Sequence, residues 1–533
     1  MMILHKGFMV CASFVAAVSM TLTSGGFAAE ILRDGFEKAS WAVQQNCPGE
    51  LTLVKDKAIA RSGQGCAELR ATVKGDNCYG RCFYLIGNAV VGRTQRELWG
   101  KCYNYTVYAK GDGMFRIGVL LYTRDDDKKK TISYIWPGKE TALTGQYQKF
   151  EFNFNTSERN VWQFSLLAEV RGKDASAFID DALLTEIENP EFKLTGCQRH
   201  LVLPAGSRQP DVSFQLTSAD KPVPSAQMKL RISEVNSISD AKTDSGGIVQ
   251  CPAGTAAVNQ SATIQVTVSH PASGNVASSA IDFIPVERFD NLDSAAKKIK
   301  LKNPLRILYL GDSLSDFDRG HNYADKVDFF LNKYNPGKAD FHNYGVGGDD
   351  IIRVCARIDG DPKAVRKERY AGLFACKYDI AFIFLGHNDT KASSANNYSV
   401  SIIPPEEQEQ YYRKLIARLR SEGVPRIVLI SPTSSDFDVC RANAGKAANS
   451  VHNRFGEPKH LEAFDAVLKK LAAELKAEHL DVYTPTRDCP DKPQLFRPND
   501  GVHLSTLGHE LVAVEILNFL GNDGNRGESQ FRK

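Results

Sequence analysis

No charge of either sign dominates this 533-residue sequence: 66 lysines and arginines face 63 aspartates and glutamates, for a formal net charge of +3. With no basic block there is no electrostatic footprint for nucleic acid, and that class of partner is excluded. Past the N-terminus no apolar run approaches the roughly 20 residues of a bilayer span, so no transmembrane segment is expected there. Cysteines number twelve, yet none falls into the paired CxxC clusters or His spacings of a zinc site. Glycine (41) and proline (22) stay near ordinary levels, which excludes collagenous and low-complexity chains. At 42% hydrophobic and 24% charged, a chain of this length suits about three globular domains.

The N-terminus differs from the rest. His5 and Lys6 precede an apolar run from Gly7 to about Leu22, broken by Ser13, Ser19 and Thr21, and then Ser24-Gly25-Gly26-Phe27-Ala28-Ala29. Cleavage after Ala28 finds small residues at both required positions, Gly26 and Ala28, so residues 1–28 are expected to be a signal peptide and the protein secreted or periplasmic. Cys11 leaves with that segment. Eleven cysteines remain, and in an oxidising compartment most would form disulfides, the odd count leaving at least one unpaired. Pairing within domains suggests Cys197 with Cys251, Cys355 with Cys376 and Cys440 with Cys489, with the connectivity left open.

From 30 to 188 the sequence reads as short strands. Glu68–Val73, Asn104–Tyr108, Phe115–Tyr122 and Tyr147–Phe152 alternate and are rich in aromatic and β-branched residues, as in a β-sandwich. Three strings, Asp34-Gly35-Phe36-Glu37 with Trp41, Thr144-Gly145-Gln146-Tyr147-Gln148-Lys149, and Phe178-Ile179-Asp180-Asp181-Ala182-Leu183, together resemble the jelly-roll carbohydrate-binding modules of secreted glycan-active enzymes. That resemblance implies a structural calcium near the first and last strands, with Glu37 and Asp180 as candidate ligands; the alternative is that both are solvated turn carboxylates. Trp99, Trp136 and Tyr134 are candidates to stack on sugar rings, weighed against burial in the core.

A second strand-rich stretch, 189–287, contains the alternating runs Val212–Leu216, Met228–Ile232 and Ala262–Val268 and suits an immunoglobulin-like sandwich acting as a spacer. Residues 288–303, with Lys297, Lys298, Lys300 and Lys302, read as a charged linker, and 523–533 as a polar tail. From 304 to 522 strands and helices alternate. Leu305–Leu310, Tyr378–Leu385 and Arg426–Ile430 are apolar runs of buried parallel-strand type. Tyr412, Leu415, Ile416 and Leu419, and then Leu461, Phe464, Val467, Leu468, Leu471 and Leu475, follow helical spacing. The pattern predicts a doubly wound parallel sheet with helices on both faces, an α/β/α flavodoxin-like fold, and a site beyond the carboxyl ends of its strands.

Four blocks fall at such ends or near the C-terminus: Gly311-Asp312-Ser313-Leu314-Ser315, Asn343-Tyr344-Gly345-Val346-Gly347-Gly348, Gly386-His387-Asn388-Asp389 and Asp500-Gly501-Val502-His503. In this order they resemble the GDSL, or SGNH, hydrolase family. Ser313 is the candidate nucleophile, His503 its base and Asp500 the carboxylate that orients the imidazole. The N–H groups of Ser313 and Gly348 and the amide of Asn388 are the candidate oxyanion hole. Asp312 and Asp389 are expected to support the loops. Asp349 and Asp350 are expected to make the pocket rim acidic and to disfavour anionic groups near the ester. The long stretch from Ser431 to Lys459 reads as a loop beside the site, and His452 within it is a rival base lacking the Asp-x-x-His context. The combined reading is an esterase that removes O-acyl groups, chiefly acetyl, from a polysaccharide, with no cofactor required. A lipolytic esterase, thioesterase or lysophospholipase on the same scaffold, or a glycan-binding protein without activity, are the alternatives.

Overall fold

The computed structural model describes residues 27–522 apart from 39, 44–48, 75–76, 87–97, 125–129, 137–139, 198–199, 234–236, 317–320 and 445–451. The expected signal peptide lies outside these residues except for its last two, and so does the polar tail. Phe27–Asp34 form a strand paired antiparallel with residues 182–188, so cleavage after Ala28 trims that strand by two positions.

Alternation along the N-terminal region produces two long strands, Cys102–Arg124 and Val161–Glu188, which lie antiparallel beside each other over most of their length. The expected strands around 104–108 and 115–122 are thus two halves of one. Their inward side chains, among them Tyr105, Phe115, Phe164 and Leu166, fill one core. Trp99 is fully buried, which removes it as a sugar platform. Residues 192–284 form two sheets whose inner faces meet, Phe214, Leu216 and Val249 from one against Met228, Val266 and Phe283 from the other.

The disulfide expectation fails. All ten described cysteines are free thiols. For Cys197 and Cys251 the register supplies the reason: strand Val212–Ser218 lies between the strands that lead to them, pairing Gly196 with Phe214 on one edge and Cys251 with Val212 on the other. Two strand spacings, about 9–10 Å, exceed what a disulfide spans.

In the C-terminal part five strands form one parallel sheet: β1 (Leu305–Gly311), β2 (Ala339–Asn343), β3 (Ile380–Phe384), β4 (Arg426–Ile430) and β5 (Glu478–Leu480), in spatial order β2-β1-β3-β4-β5. Period-2 alternation sends Ile307, Tyr309, Phe382 and Val428 to one face and Leu308, Leu310, Ile383 and Leu429 to the other. Because both faces are apolar, helices must cover both. The first is covered by α1 (Val286–Lys297), α2 (Tyr323–Tyr334) and α6 (Thr506–Asn522), the second by α3 (Ile351–Ile358), α4 (Pro405–Ser421) and α5 (Pro458–Leu475). The strand order reverses between β1 and β3, and the crevice at that reversal is where sheets of this type bind ligands.

Two expectations are corrected here. The supposed linker is largely helix α1, whose Leu292, Ala295 and Ala296, with Ile299 just beyond, are buried in the sheet's core. Its exposed lysines masked an apolar stripe. The middle sandwich is no detached spacer either: its Val202 and Ile284 belong to that same core. Between them a buried polar cluster joins the two bodies. Asp282 accepts from Thr263 Oγ1 at 2.6 Å and from His200 Nε2 at 3.0 Å, and is ion-paired with Lys326 of α2. Burial alone would raise the Asp282 carboxyl, but Lys326 and His200 outweigh it and hold it well below the usual carboxylate range. The stretch 431–459, expected as a loop, contains helix Phe437–Ala444 and a two-residue strand, Asn453–Arg454, paired with Ala392–Ser393.

Candidate active site

Ser313 sits on the turn that leaves β1. Asp312 Oδ1 accepts the N–H of Leu314 at 2.9 Å and Asp312 O that of Ser315 at 3.1 Å, which curls the chain and leaves Ser313 at the tip, half-buried. Gly311 has no room for a side chain: a Cβ there would lie 2.2 Å from Ser315 Oγ. Across the crevice Asp500 Oδ1 accepts the N–H groups of Val502 (2.9 Å) and His503 (2.7 Å). The Asp-x-x-His string is therefore a closed turn that brings the second carboxylate oxygen to the imidazole.

The three side chains are in contact although Ser313 and His503 are 190 positions apart. His503 Nδ1 is 3.0 Å from Asp500 Oδ2, and His503 Nε2 is 2.9 Å from Ser313 Oγ. A carboxylate at Nδ1 requires the ring proton there, which leaves the Nε2 lone pair to accept from the serine hydroxyl. Burial alone would raise the Asp500 carboxyl, but His503 and the two backbone N–H groups hold it below the usual range.

The loop after β2 carries Gly348 with φ of +84°, a left-handed conformation that favours glycine. Neither its N–H nor that of Ser313 donates to any described group. Three arginines hold the loop through its carbonyls: Arg353 to Gly348 O (2.7 Å), Arg366 to Gly347 O (3.1 Å) and Arg369 to Gly345 O (3.0 Å). Asp316 binds Arg369 (3.1 Å) and accepts the N–H of Gly347 (2.7 Å). Beyond β3, Asn388 reaches Asp312 Oδ2 at 3.4 Å. His387 beside it is buried, its Nε2 2.9 Å from Thr433 Oγ1, and burial lowers it to about 3, so it is neutral.

Asp389 supports the site as expected, and in an unusual ionisation state. It is fully buried, accepts the N–H of Ile351 at 2.9 Å, and burial pushes its carboxyl up to about 8. The unfolded chain gives up this proton above about 3.8, whereas the fold keeps it to about 8. Between those values the folded state binds more protons, so stability falls as pH rises. An Asp389→Asn variant is therefore expected to gain on the parent in thermal unfolding as pH rises from about 4 to 8, by up to a few kcal/mol, and then level off. A pH-independent gap would mean that Asp389 ionises in the fold.

The acidic rim expected from Asp349 and Asp350 is not there. Asp349 is buried and paired through both oxygens with Arg357, Nη2–Oδ1 being 2.7 Å. Asp350 caps α3, accepting the N–H of Arg353 at 3.0 Å. Neither carboxylate is left unneutralised at the rim. His452 is remote in bonding from the serine: its N–H donates to Ser394 Oγ at 3.1 Å and its ring contacts Tyr398. Sequence reasoning missed the arginines that hold the Gly348 loop. Arg369 lies in the short 3-10 helix Lys367–Tyr370, with Arg366 just before it, and no motif marks them.

The calcium candidates do not fit a cation. Glu37 Oε1 accepts the N–H groups of Gln64 (2.6 Å) and Gly65 (3.3 Å), and Asp180 those of Arg61 (2.8 Å), Ser62 (3.1 Å) and Asp181 (2.7 Å). These carboxylates clamp one loop by its donors, which is a structural role. Tyr134, by contrast, keeps an exposed ring, while Trp136 beside it is half-buried with the Arg116 guanidinium 4.0 Å from its ring centre. Tyr134 is 44% exposed, its ring is parallel to that of Trp136 within 6° at 6.3 Å, and Arg81 lies 5.2 and 5.3 Å from the two ring centres.

No curated protein matches the chain. Among solved structures, a lipase/acylhydrolase from Enterococcus faecalis is 20% identical and covers 41% of this chain and 96% of its own, with a TM-score of 0.30. A putative GDSL-like lipase from Parabacteroides merdae is 19% identical over 42% of this chain and 99% of its own, with a TM-score of 0.32. A CBM22 xylan-binding domain from Paenibacillus barcinonensis is 11% identical over 31% of this chain and 98% of its own, with a TM-score of 0.24. The model of the GDSL-like Lipase/Acylhydrolase family matches residues 309–511, which span Ser313, Gly348, Asn388, Asp500 and His503. Residues 309–511 are a domain of the GDSL-like lipase/acylhydrolase family.

Proposed function

We propose that the protein is an exported serine esterase that removes O-acyl groups, chiefly acetyl, from a polysaccharide. The observation that carries this reading is the unbroken hydrogen-bonded chain Ser313–His503–Asp500. In the first step Ser313 Oγ bonds to the ester carbonyl carbon while its proton passes to His503 Nε2. The oxyanion is met by the N–H groups of Ser313 and Gly348 and by the Asn388 amide. His503 then protonates the departing sugar oxygen, leaving an acyl-serine. Water attacks that ester with His503 as base, and acetate leaves as Ser313 recovers its proton.

The crevice supports a short acyl group. Around Ser313 and His503 stand Asp316, His321, Asn322, Arg497 and His509, and among the described lining residues only Leu314 and Leu504 are apolar, a poor lining for a long hydrocarbon chain. Exposed Tyr134 with its parallel neighbour Trp136 supports the glycan part of the reading, since sugar rings pack on flat aromatic faces.

The test is hydrolysis of chromogenic esters of rising chain length beside acetate release from acetylated xylan and pectin. Rates are expected to fall from acetate upward. Activity that climbs with chain length would move the reading to a lipolytic enzyme. A Tyr134→Ala/Trp136→Ala variant is expected to lose about 10-fold or more in polysaccharide affinity and to retain its rate on soluble chromogenic acetate. Unchanged polysaccharide binding would remove these rings from the glycan site.

A further inference from the structure

Among the described residues, the acids near the reacting serine are already engaged. Asp316 is shared between Arg369 and the N–H of Gly347, Asp349 is closed on Arg357, and Asp350 is spent on the α3 cap. Asp500 is occupied by His503 and two backbone donors. Behind the crevice Lys326 is buried and paired with Asp282, and half-buried His509, which lines the crevice, is lowered by desolvation to about 3 and is neutral. Arg497 is the exception. It lines the crevice with Ser313 and His503, is exposed, and its guanidinium has no partner among the described residues. Its backbone is fixed independently, the N–H donating to His503 O at 2.7 Å and the carbonyl accepting from Gly501 at 3.0 Å. A second cation, Arg353, hydrogen-bonds the carbonyl of Gly348 and is ion-paired with Asp350 at 3.5 Å. Among the described residues that line the crevice, the charge left without a partner is thus that of Arg497.

We infer that Arg497 is a specificity-determining residue that takes a carboxylate near the scissile ester, so that the preferred substrate is an acylated polysaccharide containing uronic acid. This rests on the esterase reading above. A guanidinium offers two parallel donors to a carboxylate, and a fork held on a rigid turn loses little freedom in binding it. Because the guanidinium is exposed, water and salt screen the attraction, and added salt weakens it further.

The experiment compares kcat/KM on acetylated uronate-containing oligosaccharides with that on neutral acetylated xylo-oligosaccharides, at low and high ionic strength. The parent protein is expected to favour the charged substrate by about 10–100-fold, less so in high salt. Arg497→Gln is expected to collapse that ratio, chiefly through KM, and Arg497→Lys to restore part of it. Equal rates on both substrates, or a ratio that survives Arg497→Gln, overturn this inference alone. Absence of acetate release from either substrate, with chromogenic acetate also untouched, overturns the esterase reading and this inference with it.

Discussion

Replacing Ser313 by alanine is expected to lower kcat on chromogenic acetate by about 10⁴–10⁶-fold, with the fold intact. The side chain is half-buried at the tip of a turn and packs no core, so thermal unfolding should stay close to that of the parent. His503→Ala should cost about as much, because without a base the hydroxyl keeps its proton. The Ser313→Ala/His503→Ala pair should be barely worse than either single variant, since the residues act as one unit. Multiplying losses would mean that the two contribute separately and would break the proposed mechanism.

The second large effect concerns stability. Asp282→Ala would leave the Lys326 ammonium and the His200 ring buried against an empty site, and breaking a buried pair on one side costs about 3–5 kcal/mol. For a body of this size that amounts to roughly 10 °C in Tm. Lys326→Met added to Asp282→Ala should recover much of the loss, since no uncompensated charge remains. Additive losses in the double variant would show that the charge pair is not what holds the two bodies. The pH dependence has a definite sign. The folded Asp282 carboxyl is depressed, so its contribution is complete above the ordinary carboxylate range and is lost as pH falls toward the folded value. His200, lowered chiefly by burial, acts in the same direction: the unfolded chain binds the proton more readily, so acidification favours unfolding.

Much of this protein is legible in its amino-acid order. The strands Leu305–Gly311 and Arg426–Ile430 and the helices Pro405–Ser421 and Pro458–Leu475 match their apolar patterns closely. Local periodicity alone reports which faces are buried. The four blocks around Ser313, Gly348, Asn388 and His503 are readable for a related reason: each lies where a strand ends or a turn closes, and short-range turn chemistry is written in adjacent residues.

Other features depend on partners distant in the chain. Whether Trp99 stacks on a sugar or fills a core is decided by strands that cover it, and it is fully buried. Asp349 reads as an acid at a rim until Arg357, eight residues on, folds back across α3 to neutralise it. Lysines at 297–302 read as a linker because charge is visible in sequence, whereas the core that receives Leu292 and Ile299 is assembled from segments distant in the chain, from Val202 to Leu520. Cysteine count and an export signal argued for disulfides, but bonding requires sulfurs within a few ångströms, and an intervening strand keeps Cys197 from Cys251. The sequence by itself determined the strongly periodic strands and helices of the C-terminal sheet, their buried faces and the residue types of the reacting centre. Tertiary structure alone decided which charges are neutralised and that Arg497 is left without a partner among the described residues, because electrostatic pairing depends on distance in space and not on separation along the chain.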